Sequence, residues 1–190
     1  KRKFKYMSNY VQIKEDRNDR FVIGSVNSDF KNVREVYSKN VDTFVKAYDA
    51  CVKLFKLDGS QKFFIRNIRG NTVGFYRNRA KEVAVEIRSK NIKSIVSTII
   101  HECRHAYQYQ TGMLKSDPKK KHYSIWTAMD TKITRAADGS VDELVASKKA
   151  QSIRRYSPSQ NHKKYMALPW EVDAREAEKK YIDKIMKEIS

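Results

Sequence analysis

Two histidines four residues apart, with a glutamate directly after the first, make up His101-Glu102-Cys103-Arg104-His105, the most chemically pointed pattern in the chain. Residues i and i+4 lie one turn apart on the same helix face, so both imidazoles can converge on one cation while Glu102 reaches a water in that cation's open position. A catalytic zinc takes three protein ligands and leaves its fourth position to water. A histidine six residues past His105 is excluded as the third, because position 111 is Thr. Glu171, in PWEVDAREAE, would have its carboxylate fixed by a helix; His122, 17 residues after His105, could add a third imidazole; Asp173 is a further candidate. Asp173 stands two residues from Glu171 and points to another side of a helix, so the two carboxylates are not expected to share one ion. An acid there is favoured by the helix dipole, and it could also orient a ligand histidine. Were such an ion to activate water against a carbonyl, a donor for the tetrahedral oxyanion would be wanted, for which Tyr165, His162 and His122 are candidates by residue type or closeness in sequence to the third ligand.

The elements that must carry these groups follow from hydrophobic periodicity. Ile92, Ile95, Val96, Ile99, Cys103 and Ala106 recur at helical spacing and predict a helix over 91–111, closed by Gly112. Pro169 suits the first turn of a last helix, with Val172, Ala174, Ala177, Tyr181, Ile182 and Ile185 as its apolar positions. Upstream, FVIGSV (21–26) reads as a strand. The stripe Val41, Phe44, Val45, Tyr48, Cys51, Val52 and Phe55 reads as a helix within 33–57, stopped by Asp58 and Gly59. Segments 61–68, 72–77 and 82–89 read as a three-stranded antiparallel meander, the last half-buried with Val83, Val85 and Ile87 on one side. Between 113 and 166 a helix is expected over 141–155, flanked by polar loops.

With 190 residues, 40% hydrophobic and 11% aromatic, the chain can bury a core and is expected to form one domain, with residues 1–20 extended and 113–166 a basic insertion between the motif helices. Six Gly and three Pro exclude collagen-like and low-complexity classes, and no apolar run approaches the ~20 residues of a membrane span. Cys51 and Cys103 fall in apolar helical patterns and read as free core thiols. The opening KRKFKYMSNY lacks the apolar stretch of a secretory leader, and because the chain does not begin with Met an earlier segment is left open. Forty Lys and Arg against 22 Asp and Glu leave a net charge of +18. Such a surface serves solubility, or draws an acidic or nucleic-acid partner, here through residues 115–164, where three of the four basic clusters fall.

Together, HECRHAYQ and LPWEVDAREAE resemble the gluzincin-type HExxH zinc metallopeptidases, of the small bacterial and phage ImmA/IrrE-like kind. The resemblance spans two short segments and the order of elements. It implies an α+β, zincin-like fold: a small antiparallel sheet, an active-site helix, and a C-terminal helix with the third ligand. It implies Zn2+ held by His101, His105 and Glu171, Glu102 as the base acting on a zinc-bound water, a protein or peptide substrate, and strand 82–89 as the sheet edge beside the cleft. The location it implies is the cytoplasm, or a virion if the protein is phage-encoded. The chain departs from the thermolysin-like pattern at position 175, which is Arg where that pattern has Asp. Two other readings are a SprT-like protease acting on DNA-bound proteins, with His122 as third ligand, and a basic nucleic-acid or virion-associated structural protein with a vestigial or structural metal site.

Overall fold

The computed structural model describes residues 5–7, 10–12, 21–24, 31–66, 68, 72–86, 91–135, 141–147 and 150–190. In chain order they form β1 (Lys5–Met7), β2 (Tyr10–Gln12), β3 (Phe21–Gly24), α1 (Lys31–Leu54), β4 (Lys62–Arg66), β5 (Gly74–Arg77), β6 (Glu82–Glu86), α2 (Ile92–Gln110), β7 (Leu114–Ser116), β8 (Tyr123–Trp126), β9 (Met129–Arg135), β10 (Val141–Ser147), β11 (Gln151–Arg154), α3 (Pro158–Met166) and α4 (Pro169–Ile189). The fold is mixed α and β. None of these helices is long and apolar enough to cross a membrane. The chain divides into two compact units, residues 1–107 with 173–190, and residues 108–172.

The first unit is built on a four-stranded sheet of order β3-β4-β6-β5. Strands β3 and β4 run parallel, joined through α1 as a parallel pair requires a crossover. Strand β6 lies between β4 and β5, parallel to the first and antiparallel to the second. The expected antiparallel meander is therefore corrected: only β5 and β6 form a hairpin, and the chain leaving β4 passes beyond β6 to reach the outer position before turning back. A buried carboxylate holds that passing segment, since Glu86 Oε2 accepts the Ile68 N–H at 2.6 Å and the Glu86 N–H donates to the Val73 carbonyl at 2.8 Å. All five residues of β6 are buried, as suits an inner strand covered on both faces, so the half-buried expectation is corrected too. The outer strands are β3 and β5, and the expectation of an edge at 82–89 is overturned for 82–86 by pairing on both sides. Residues 87–89, with Ile87, and 25–26 of the first predicted strand lie outside the described residues, as do 1–4, 8–9 and 13–20 of the expected extended segment; 5–7 and 10–12 pair as an antiparallel ladder.

Helices pack on this sheet through the predicted stripes. Phe44, Tyr48, Cys51 and Phe55 of α1 and its end join Ile95, Val96, Ile99, Ile100, Cys103 and Ala106 of α2 and Ala177, Ile185 and Ile189 of α4 in one core. Tyr48 stacks on Phe63 of β4 with ring centroids 4.5 Å apart. Helix α1 stops at Leu54, before the expected Asp58. Lys56 adopts a left-handed φ of 50°, and the Leu57 N–H returns to the Val52 carbonyl at 2.9 Å, a C-terminal cap that satisfies the last turn. Cys51 and Cys103 are free and buried. Burial, then the adjacent Cys51 thiol and the Glu102 charge, push the Cys103 thiol well up, so it stays protonated.

The second unit holds a three-stranded antiparallel sheet, β7-β8-β11, and the β9-β10 ladder. The helix expected over 141–155 is corrected to strands: Val141–Ser147 pairs residue for residue with Met129–Arg135, and Gln151–Arg154 with Tyr123–Trp126. Helix-forming Glu143, Leu144 and Ala146 are overridden by a partner segment of equal length, and residues 148–149 of the expected helix lie outside the described residues. The sequence reading also misses α3. Ser157 and Gln160 cap each other's backbone N–H and Pro158 occupies the first turn, a capping box legible as S-P-S-Q.

Candidate metal centre

Two helices, α2 and α4, carry the centre. Gly112, at a left-handed φ of 76°, closes α2 after Gln110, as the sequence predicts. The α2 core face places Ser97, His101 and His105, each four residues apart, along one adjoining line. Residues of α4 at the corresponding spacing answer them: Glu171, Ala174 and Glu178 recur at three and four. Several contacts fix the two helices together. Lys93 pairs with Asp183 at 3.0 Å, and Arg104 donates two parallel hydrogen bonds to Asp173, Nε to Oδ2 at 2.7 Å and Nη2 to Oδ1 at 2.8 Å. Glu171 is carried in the first turn of this same α4, its N–H bonded to the Leu168 carbonyl at 3.0 Å.

One ligand atom each from His101, His105 and Glu171 lie within 4.8 Å of one another, the one group of this kind among the described residues. The Nε2 atoms of the two histidines stand 3.1 Å apart, with ring planes at 83°. Glu171 is 5% exposed and Glu102 6%, so two carboxylates are buried beside two imidazoles. Exposure of 38% at Val172 departs from its expected apolar role, while Ala174 is buried as expected and Trp170 beside them is buried too.

The ring orientation of His101 is set by a residue the sequence reading misses. Glu178 Oε1 lies 2.6 Å from His101 Nδ1, and its Oε2 accepts the Ser97 hydroxyl. Burial works against the Glu178 charge, but the His101 and Ser97 hydrogen bonds outweigh it and hold the carboxyl below its usual range. An ionised carboxylate only accepts, so a proton sits on Nδ1 and Nε2 is the ring nitrogen turned toward His105. The signal for Glu178 was its place seven residues after Glu171, on the same α4 face. Replacing it with Ala is expected to weaken zinc binding by about 10- to 100-fold, read by competition against a chelator, with Ser97→Ala giving a smaller loss.

Asp173 pairs with Arg104 and so acts as a helix clamp. Burial opposes the Arg104 charge, yet the bond to Asp173 prevails and holds the guanidinium protonated; it also lies over the Tyr107 ring at 4.5 Å. Asp173→Ala leaves that part-buried cation without its bidentate partner, and a loss of about 1–3 kcal/mol is expected in denaturant unfolding. His122 is exposed, in a turn at a left-handed φ of 66°, with its carbonyl accepting the Arg155 N–H at 2.8 Å. His162 is exposed and Tyr165 half-buried, both on α3.

The donor set fits a zinc ion. Two imidazoles and a carboxylate match the ligand types and number of a catalytic site, and three atoms no more than 4.8 Å apart share a centre within about 2.8 Å of each, against the ~2.0–2.2 Å of zinc bonds. The two nitrogens already stand 3.1 Å apart, close to the ~3.3 Å separation that tetrahedral bonds of that length impose. A divalent cation also offsets the cost of burying Glu171 and Glu102 as charges. No protein-family model, curated protein or solved structure matches the chain.

Proposed function

We propose that the chain is a zinc-dependent metallopeptidase of the gluzincin-like HExxH type, hydrolysing peptide bonds by Glu-assisted attack of water. The observation that carries this reading is the convergence of His101 and His105, on the helix that also bears the buried Glu102, with Glu171 of α4. Zinc, when bound, supplies a Lewis acid that polarises the scissile carbonyl and makes water more acidic. The three ligand side chains hold the ion, and Glu178 keeps the His101 lone pair turned toward it. Glu102 accepts a proton from the attacking water as its oxygen bonds to the carbonyl carbon; the carboxyl then returns that proton to the amine as the C–N bond breaks. The Glu102 carboxylate is shielded from solvent and directly follows a ligand histidine in the chain, which suits this role. Strand β5 lies at one end of the sheet order, the position where an extended peptide would add as a further strand. Zinc-loaded protein is tested on a panel of denatured proteins beside Glu102→Gln; equal cleavage by both refutes the proposal. An acidic or nucleic-acid partner for residues 115–164 is a separate proposal resting on charge alone.

A further inference from the structure

Gly74 begins β5 and pairs with Val85 of β6, whose side chain is fully buried. A Cβ at position 74 would stand 2.4 Å from Thr98 Cγ2 of α2, 3.1 Å from Glu102 Oε1 and 3.1 Å from the Ala84 carbonyl oxygen. The first distance is far inside carbon–carbon contact, and the other two leave no slack. Gly59 and Gly112 are the glycines with positive φ among the described residues, so Gly74 is required by space and not by backbone conformation. The Thr98 hydroxyl bonds back to the Ser94 carbonyl at 3.0 Å, fixing its rotamer with the methyl toward the strand. Thr98 and Glu102 are four residues apart, one above the other on α2. The outer strand thus comes down onto the helix at the turn that carries Glu102, and does so because nothing projects from position 74.

We propose that Gly74 is a positioning residue: lacking a side chain, it sets the separation between the β5 edge and the Glu102 carboxylate, and so the placement of a peptide paired to that edge. This rests on the metallopeptidase reading. A side chain at 74 must lift the strand or turn the Glu102 carboxylate, and a displacement of about 1 Å at a reacting group is enough to lower a rate by about 100-fold.

The two causes separate genetically, because the Thr98 methyl can be removed while its hydroxyl is kept. Four zinc-loaded proteins are compared on the denatured-protein panel: wild type, Gly74→Ala, Thr98→Ser and the Gly74→Ala/Thr98→Ser pair, with zinc content measured for each. Gly74→Ala is expected to lose about 100-fold in kcat with one zinc retained and KM changed less than kcat. Thr98→Ser alone is expected to stay near wild type, and the pair to regain about 10-fold over Gly74→Ala. An active wild type with a Gly74→Ala variant of equal kcat overturns the positioning role and leaves the peptidase reading standing. So does a pair that keeps its zinc but regains nothing. Should Gly74→Ala fail to fold, the pair alone decides: zinc-loaded with kcat between wild type and a 100-fold loss supports the role, and failure of the pair to fold overturns it. A zinc-loaded wild type that cleaves nothing overturns the peptidase reading instead.

Discussion

Glu102→Gln is expected to lower peptide hydrolysis by about 100- to 10,000-fold while leaving zinc binding within a few-fold of wild type. The substitution keeps the shape of the side chain and removes its capacity to take a proton, so the loss reads proton transfer and not packing. Glu102 is 6% exposed beside the Cys103 core face, and a neutral amide is no harder to bury there than a carboxylate. Single-turnover cleavage measured with zinc content on the same sample separates the two quantities. A variant that keeps more than a tenth of wild-type activity with full zinc would remove Glu102 from the chemistry.

Glu171→Ala is expected to weaken zinc affinity by more than 100-fold, beyond the 10- to 100-fold typical of residues that only orient a ligand. His122→Ala, at an exposed turn, is expected to leave affinity unchanged. Two imidazoles alone would leave an ion that water and buffer ligands can strip, whereas the first-turn carboxylate of α4 adds both charge and a third rigid anchor. The contrast with Glu178→Ala is one of degree: losing the group that orients His101 should cost less than losing a ligand. Unchanged affinity in Glu171→Ala would transfer the third position elsewhere.

Much of the centre was legible because it is written in helical spacing. His101, Glu102 and His105 fall within one turn of a stripe whose other side is Ile95, Val96, Ile99 and Cys103, and Gly112 marks its end. Glu171 was legible as a carboxylate in the first turn of a helix opened by Pro169. Sheet order was not, since three short segments with short connections describe a meander and a skipped strand equally well; what decides is the path of the chain between β4 and β5, held by buried Glu86. The misreading of 141–155 has the same root: strand pairing depends on a distant partner that local periodicity does not contain. Glu178 escaped notice because a glutamate on a Lys-rich helix reads as a solvated residue until its facing helix is known. Gly74 escaped because a glycine within a strand pattern says nothing of what its missing side chain would strike.

Zinc content and X-ray absorption of the purified chain after loading and removal of excess metal test the centre most directly. The expected result is one zinc per chain bound by two nitrogens and an oxygen at ~2.0–2.2 Å, and none in the His101→Ala/His105→Ala pair. A wild type that takes up no zinc, or a double variant that still holds a full equivalent, would contradict it.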